Sequence, residues 1–207
     1  MYLVRKLAPA FLLSVLAACT APLVEETTTN HETTAQAPAS APLQLGNGVS
    51  AILPEWRGGP GLNLLQVMNA RYGSARSVSL QIRVSDGQDR LKMTGLDGFG
   101  RRVFDIDWSS TGIQAIRADW VPEELRPEDV LLHYLLANRA LDVVKDMVRD
   151  GTVRSGSDGR DVLDKTGRPV LTMTYQGMSA GGGAKAVKIR NLVQRYDLTV
   201  RSHGMDN

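Results

Sequence analysis

Val78-Ser-Leu-Gln-Ile-Arg-Val-Ser-Asp-Gly-Gln-Asp-Arg-Leu-Lys-Met-Thr94 holds two runs of alternating character joined by a turn. Val78, Leu80, Ile82 and Val84 alternate with Ser79, Gln81 and Arg83, the two-residue period of a strand with one dry face and one wet face. Asp86-Gly87 then supplies a hairpin turn. Leu91 and Met93 then resume the alternation against Arg90, Lys92 and Thr94, and a second turn pair follows at Asp97-Gly98. Further on, Phe104, Ile106 and Trp108 face one way while Asp105 and Asp107 face the other. Ser109–Gly112 turns the chain, and Ile113–Ala118 reads as a weaker fourth strand. Consecutive hairpins with a single apolar face predict an antiparallel sheet buried on one side.

Downstream the period changes. Pro122-Glu-Glu and Pro127-Glu-Asp place proline and acids where the first turn of a helix favours them. Val130, Leu131, Leu132, Leu135 and Leu136 form the stripe of one helix, and Ala140, Leu141, Val143, Val144, Met147 and Val148 predict a second, closed by Asp150-Gly151. Strand alternation returns at Leu171, Met173 and Tyr175, at Val187 and Ile189, and at Tyr196, Leu198 and Val200. The expected fold is α+β: a curved antiparallel sheet covered on its concave face by one or two mid-chain helices, occupying residues 46–207.

Upstream of this domain the chain carries an address. Arg5 and Lys6 precede an apolar run from Leu7 to Ala18 that is too short to span a bilayer as a lasting helix. The run ends in Leu16-Ala-Ala-Cys19, which resembles the lipobox of bacterial lipoproteins and holds the chain's one cysteine. Residues 1–18 therefore read as a lipoprotein signal peptide and Cys19 as the lipidated residue, whose thiol forms the thioether to the lipid. Two or more acyl chains give stable anchoring where one gives a marginal hold. In lipoproteins an Asp after the cysteine favours retention at the inner membrane; Thr20 stands there, so the resemblance favours the outer membrane, periplasmic face. Residues 19–45, rich in Thr, Ala and Pro, read as a disordered tether, since they cannot bury enough apolar surface to offset ordering.

The composition narrows the chemistry. Taking Arg5 and Lys6 from the 24 bases leaves 22 against 22 acids, a balance that argues against a nucleic-acid partner. One cysteine allows neither an intramolecular disulfide nor a cysteine metal cage. His31, His133 and His203 show no ligand spacing, and His133 reads as a tucked helix residue rather than a catalytic base. Asp105 and Asp107 read as a solvated strand face, and Gly181-Gly-Gly183 as a hairpin tip, since no Lys-Ser or Lys-Thr follows it to make a phosphate loop. No cofactor, metal site or catalytic residue is expected. Gly98-Phe-Gly100 places an aromatic at a turn; Phe99 is either buried under a neighbouring loop or held out in solvent, with Leu96 beside it, as an apolar finger.

The lipobox, the hairpins of residues 76–118 and the helical insert after Arg126 together resemble LolB, the outer-membrane lipoprotein acceptor, and related LolA/LolB-like half-barrel carriers. The strand with Thr172-Met-Thr-Tyr175 and the closing pair Val187-Lys-Ile-Arg-Asn191 and Tyr196-Asp-Leu-Thr-Val200 extend that resemblance. Met93-Thr-Gly-Leu-Asp-Gly-Phe-Gly-Arg-Arg-Val-Phe-Asp-Ile-Asp-Trp108 and Leu125-Arg-Pro-Glu-Asp-Val-Leu-Leu132 are similar to an uncharacterised family of Gram-negative lipoproteins, often encoded beside genes for aryl-polyene lipids. The resemblance implies a non-catalytic protein that binds or transfers an acyl chain, a lipoprotein or a polyene lipid. It implies a hollow lined by Leu80, Ile82, Met93, Phe104, Ile106, Trp108, Leu131, Leu135 and Met173, and a membrane- or partner-contacting tip at Leu96 or Phe99. The competing expectation is an accessory lipoprotein that docks on another envelope protein and binds no small molecule.

Overall fold

A computed structural model describes residues 41–73, 76–178 and 184–205; the expected leader, Cys19, the expected tether up to residue 40 and the expected tip at Gly181–Gly183 lie outside these described residues. The fold begins earlier than the sequence suggests. Strand β1 (Leu43–Gly46) pairs antiparallel with β2 (Val49–Ala51), and Leu43 and Leu45 are buried, so ordered structure is present from Leu43 and not only from residue 46 as expected. Gly46-Asn47-Gly48 makes the turn with φ of 114°, 51° and 76°, and Gly46 is also pressed against Val193, whose Cγ1 would lie 2.6 Å from an added Cβ. Asn191 secures the strand by donating to the Leu45 carbonyl at 2.9 Å.

Strand β3 (Leu62–Tyr72) follows, then the expected meander: β4 (Arg76–Asp86), β5 (Arg90–Leu96), β6 (Arg102–Ser109) and β7 (Gly112–Arg117). Helices α1 (Pro127–Asn138) and α2 (Leu141–Met147) come next. The second helix is shorter than expected. Val148 and Arg149 already form strand β8 (Val148–Arg149) against β2, and Asp150, at φ 58°, turns the chain into β9 (Gly151–Ser155) instead of capping a helix. The chain closes with β10 (Gly159–Asp164), β11 (Pro169–Met178), β12 (Ala184–Asn191) and β13 (Tyr196–Gly204).

Ten of these strands form one curved antiparallel sheet in the order β7-β6-β5-β4-β3-β13-β12-β11-β10-β9, with β7 and β9 at opposite edges, so the sheet is not closed. Its two meanders are joined in the middle, where β3 pairs with β13 over Tyr72↔Tyr196 to Leu64↔Gly204. Register aligns the concave side chains in rows: Leu64, Val84, Met93, Ile106 and Ala115 in one, Ala70, Leu198, Ile189 and Met173 in another. Gly95 faces Phe104 across β5 and β6, and an added Cβ would meet the ring at 2.3 Å, so glycine there makes room for the largest fully buried side chain.

Helix α1 fills the hollow of the sheet. Pro127 stands in its first turn with Glu128 and Asp129, where the missing N–H costs nothing and negative charge meets the positive helix end. Leu131, Leu132, His133, Tyr134, Leu135 and Leu136 are all buried, so the helix is surrounded rather than merely laid on one face. Two polar clamps fix it. Arg160 of β10 donates to the carbonyls of Leu136 and Arg139 at 2.6 and 3.0 Å, satisfying the helix C-terminus. Asp86, fully buried at the end of β4, accepts from the Tyr134 hydroxyl at 2.8 Å and from Arg139 at 3.0 Å. Among the described residues no helix is long and apolar enough to cross a membrane.

Candidate ligand-binding site

An apolar crevice of about 250 Å³ opens where β4 and β6 meet the segment that leads into α1. Its walls are Val78 and Leu80 of β4, Val103 of β6, and Trp120, Val121, Pro122 and Leu125 of the connecting segment; Tyr72, Ser79, Asp97 and Glu124 complete it. The segment holds its shape through local bonds. The Val121 N–H donates to the Ala118 carbonyl and the Leu125 N–H to the Pro122 carbonyl, each at 3.0 Å, while the Arg117 guanidinium donates to the Val121 carbonyl. An engineered apolar cavity of about 150 Å³ holds a benzene ring, and drug-sized ligands occupy about 300–1,000 Å³. A crevice of about 250 Å³ therefore suits one flexible chain rather than several side by side.

An aromatic tip stands at the rim. Phe99 is 89% exposed and Trp120 48% exposed, and the Arg101 guanidinium lies 4.2 Å from the Trp120 ring centre and 5.7 Å from that of Phe99. Asp97 organises the turn by accepting from the N–H groups of Phe99 and Arg101 at 2.9 Å each and from Arg101 Nε at 2.8 Å. Of the two conformations open to Phe99 in the sequence, the structure shows the exposed one; Leu96 beside it is half-buried.

A second chamber of about 170 Å³ adjoins the first, with Tyr72, Glu124 and Leu125 lining both. Its remaining walls include Gln44, Arg126, Asp129, His133, Gln194 and Tyr196. His133 Nδ1 faces the Asp129 carbonyl and so carries the proton, which leaves Nε2 to accept from the Tyr196 hydroxyl at 2.7 Å. Burial pulls the His133 pKa down to about 4, leaving a neutral imidazole. Burial likewise raises the Tyr196 phenol and the Asp129 carboxyl above their ordinary values, and burial together with the Asp129 charge raises Tyr72. Arg126 pairs with Asp129 at 3.7 Å.

The nine side chains expected to line the hollow are placed as follows. All are at most 3% exposed. Leu80 lines the crevice; Ile82 and Met93 border a gap of only about 20 Å³ beside α1. Phe104, Ile106, Trp108, Leu131, Leu135 and Met173 line none of these three spaces and belong to the packed core. The crevice walls contributed by Val78, Val103, Trp120, Val121 and Leu125 were not singled out as ligand residues from the sequence; Trp120-Val-Pro, an aromatic in a polar connection before a helix, was the available signal. Asp105 accepts from Thr94 and pairs with Arg102, and Asp107 pairs with Arg90 and Lys92, all across the outer face of the sheet. Among the described residues no group of three or more His, Cys, Asp or Glu side chains could hold a metal ion.

An open antiparallel sheet wrapped around a helix, with an apolar crevice, a second chamber beside it and a half-exposed aromatic in the crevice wall, defines a non-closed half-barrel. The chain belongs to the DUF3261 family, described as a protein of unknown function, whose profile matches residues 63–204. Among solved structures it is similar to a LolA superfamily protein from Nitrosomonas europaea, at 9% identity over 73% of this chain and 89% of that one, with a TM-score of 0.42. It is also similar to a domain from Vibrio parahaemolyticus assigned as an outer membrane lipoprotein-sorting protein, at 9% identity over 73% and 88% of the two chains and a TM-score of 0.38. No curated protein matches the sequence.

Proposed function

We propose that this chain is a lipid-anchored protein of the bacterial envelope that holds a single hydrophobic chain in the crevice without chemical change. The carrying observation is the apolar wall of Val78, Leu80, Val103, Val121 and Leu125 around about 250 Å³, with Trp120 half-exposed in it and Phe99 exposed on the turn whose Asp97 lines it. Apolar side chains make up most of the wall, with Tyr72, Ser79, Asp97 and Glu124 the polar residues among them. Each methylene moved there from water contributes about 0.8 kcal/mol, so a short stretch of alkyl chain suffices for binding. Phe99 would touch the membrane from which the chain is taken or to which it is given. The leader of residues 1–18 and Cys19 supply the anchor, with Thr20 favouring the outer membrane and its periplasmic face.

The test uses the chain from residue 19 onward carrying Cys19→Ser, which retains every described residue of the fold. Titration with a fluorescent fatty acid is expected to show saturable uptake, lost when Val78→Trp fills the crevice while circular dichroism stays native. Absence of uptake by the folded protein, or uptake indifferent to Val78→Trp, overturns the carrier reading and leaves docking on an envelope protein as the role. Lipidation is checked separately by metabolic labelling with a palmitate analogue; label that persists in Cys19→Ser overturns that assignment.

A further inference from the structure

The apolar crevice is one half of a larger arrangement. Tyr72, Glu124 and Leu125 line both it and the neighbouring chamber of about 170 Å³, so a molecule seated in the crevice has a polar compartment directly beside it. The two compartments differ in character. The first is walled mainly by valine, leucine and tryptophan; the second is mixed, with Gln44, Tyr72, Arg126, Asp129, His133, Gln194 and Tyr196 set among leucines, Met68 and Val130. A space that gains polar groups along its length matches an amphiphile. From these juxtaposed chambers we infer that the ligand is a single-chain amphiphile with an uncharged, hydroxyl-bearing head, its chain in the crevice and its head in the polar chamber. This rests on the carrier reading above and specifies the class of molecule carried.

The choice of head follows from how the charges are already used. Arg126 is paired with Asp129 at 3.7 Å, and Glu124 is engaged as well. At the crevice rim Arg101 and Asp97 satisfy each other at 2.8 Å. A carboxylate or phosphate head would have to compete with Asp129 for Arg126, and an ammonium head with Arg126 for Asp129. Hydroxyls face no such competition, because they both donate and accept and the chamber offers both kinds of partner. Gln194 has an amide at the wall, its NH₂ donating to the Gln44 carbonyl at 3.0 Å, and the Asp129 carboxylate retains lone pairs beyond its ion pair. The size agrees: a chamber of about 170 Å³ is comparable with the engineered cavity of about 150 Å³ that holds a benzene ring, room enough for a three-carbon polyol.

The experiment compares heads on one tail. Monolauroylglycerol, laurate and lauryl phosphocholine compete against the prebound fluorescent fatty acid in the Cys19→Ser chain. Monolauroylglycerol is expected to displace it at a concentration about tenfold lower than the other two, the advantage of one or two added hydrogen bonds. Asp129→Asn and Gln194→Ala, which line the polar chamber alone, should together erase that preference while laurate displacement stays as it was. Equal displacement by all three heads, or a preference that survives both substitutions, overturns the head assignment and leaves the chain-binding crevice standing. Titration of the tryptophan emission with monolauroylglycerol gives an independent reading: a shift that is lost in Trp120→Phe is expected, absence of a shift overturns the inference even where the fatty acid binds, and failure of the fatty acid itself strikes the carrier reading first.

Discussion

Acidification should weaken this fold through His133 before it touches most carboxylates. The imidazole is buried against Tyr196, donating from Nδ1 to the Asp129 carbonyl and accepting at Nε2 from the Tyr196 hydroxyl 2.7 Å away. Burial sets its pKa near 4, against an ordinary 6.5. Between those values the unfolded chain takes up a proton that the folded chain refuses, so the stability contribution is complete above pH 6.5 and drains away as the pH falls toward 4. At about 1.36 kcal/mol per pH unit, the loss is about 2 kcal/mol by pH 5 and about 3 kcal/mol near pH 4. The raised Asp129 carboxyl works the other way, since its folded form takes a proton sooner than its unfolded one. The lowered Asp150 and Asp197 carboxyls, held down by Lys165 and by Arg71 and Arg190, lose their contribution only as the pH falls through and below the ordinary carboxylate range. Urea unfolding from pH 7.5 to 4.5, compared with His133→Gln, isolates the histidine. The variant should start less stable and fall more gently, so that the two curves converge by about 2 kcal/mol at pH 5. Parallel curves across that range would refute the reasoning.

Asp86→Ala removes a fully buried carboxylate and leaves the Tyr134 hydroxyl and Arg139 without it; the cost should be about 3 kcal/mol in urea unfolding. A cost under about 1 kcal/mol would show that the clamp on α1 is dispensable. Gly95→Ala drives a methyl into the Phe104 ring and should cost about 1–3 kcal/mol, whereas Gly98→Ala, with nothing within 4 Å, should change stability by no more than about 0.5 kcal/mol. Phe99→Ser should leave thermal unfolding unchanged and reduce co-sedimentation of the Cys19→Ser chain with phospholipid vesicles; equal sedimentation would remove the tip from the mechanism. Val121→Phe should fill the crevice, raising the unfolding temperature while lowering fatty-acid uptake, and a variant that loses both would mean the space is ordinary packing.

The meander of β4 to β7 and the last three strands were legible because each alternates cleanly between a dry and a wet face. Strand β3, the centre of the sheet, was not. Leu62, Leu64 and Leu65 run almost together, and the concave position between Leu64 and Met68 is Gln66, which is buried and donates to Ser202 at 3.0 Å. A polar residue on the inner face and Leu65 and Val67 on the outer one erase the two-residue period. Strands β9 and β10 escaped for a different reason: Val153 and Val162 are their principal buried apolar residues, and strands at or next to the sheet edge with so little to bury give a weak pattern. The candidate site suffered from a third limit. Periodicity identifies which residues face inward and says nothing of how much of the inward space a helix will take. Leu131 to Leu136 read as a stripe, yet the structure buries that whole stretch, and six of the nine side chains expected around an open hollow became packed core.

What remains open is the rim, and its side chains bear on why. In T4 lysozyme, an unfilled core cavity costs about 24 cal/mol per Å³. At that rate a sealed space of about 250 Å³ would cost roughly 6 kcal/mol, comparable with the entire stability of many domains. The crevice is open to solvent, which lowers that figure but leaves apolar walls facing water. Val78, Val103 and Val121 all stand where a leucine or phenylalanine would reach into the gap, and the cost could be removed by one such change. A surface selected for stability alone would close. Three small β-branched residues around one space, beside a chamber that shares its wall, are instead the arrangement the proposed carrier role calls for.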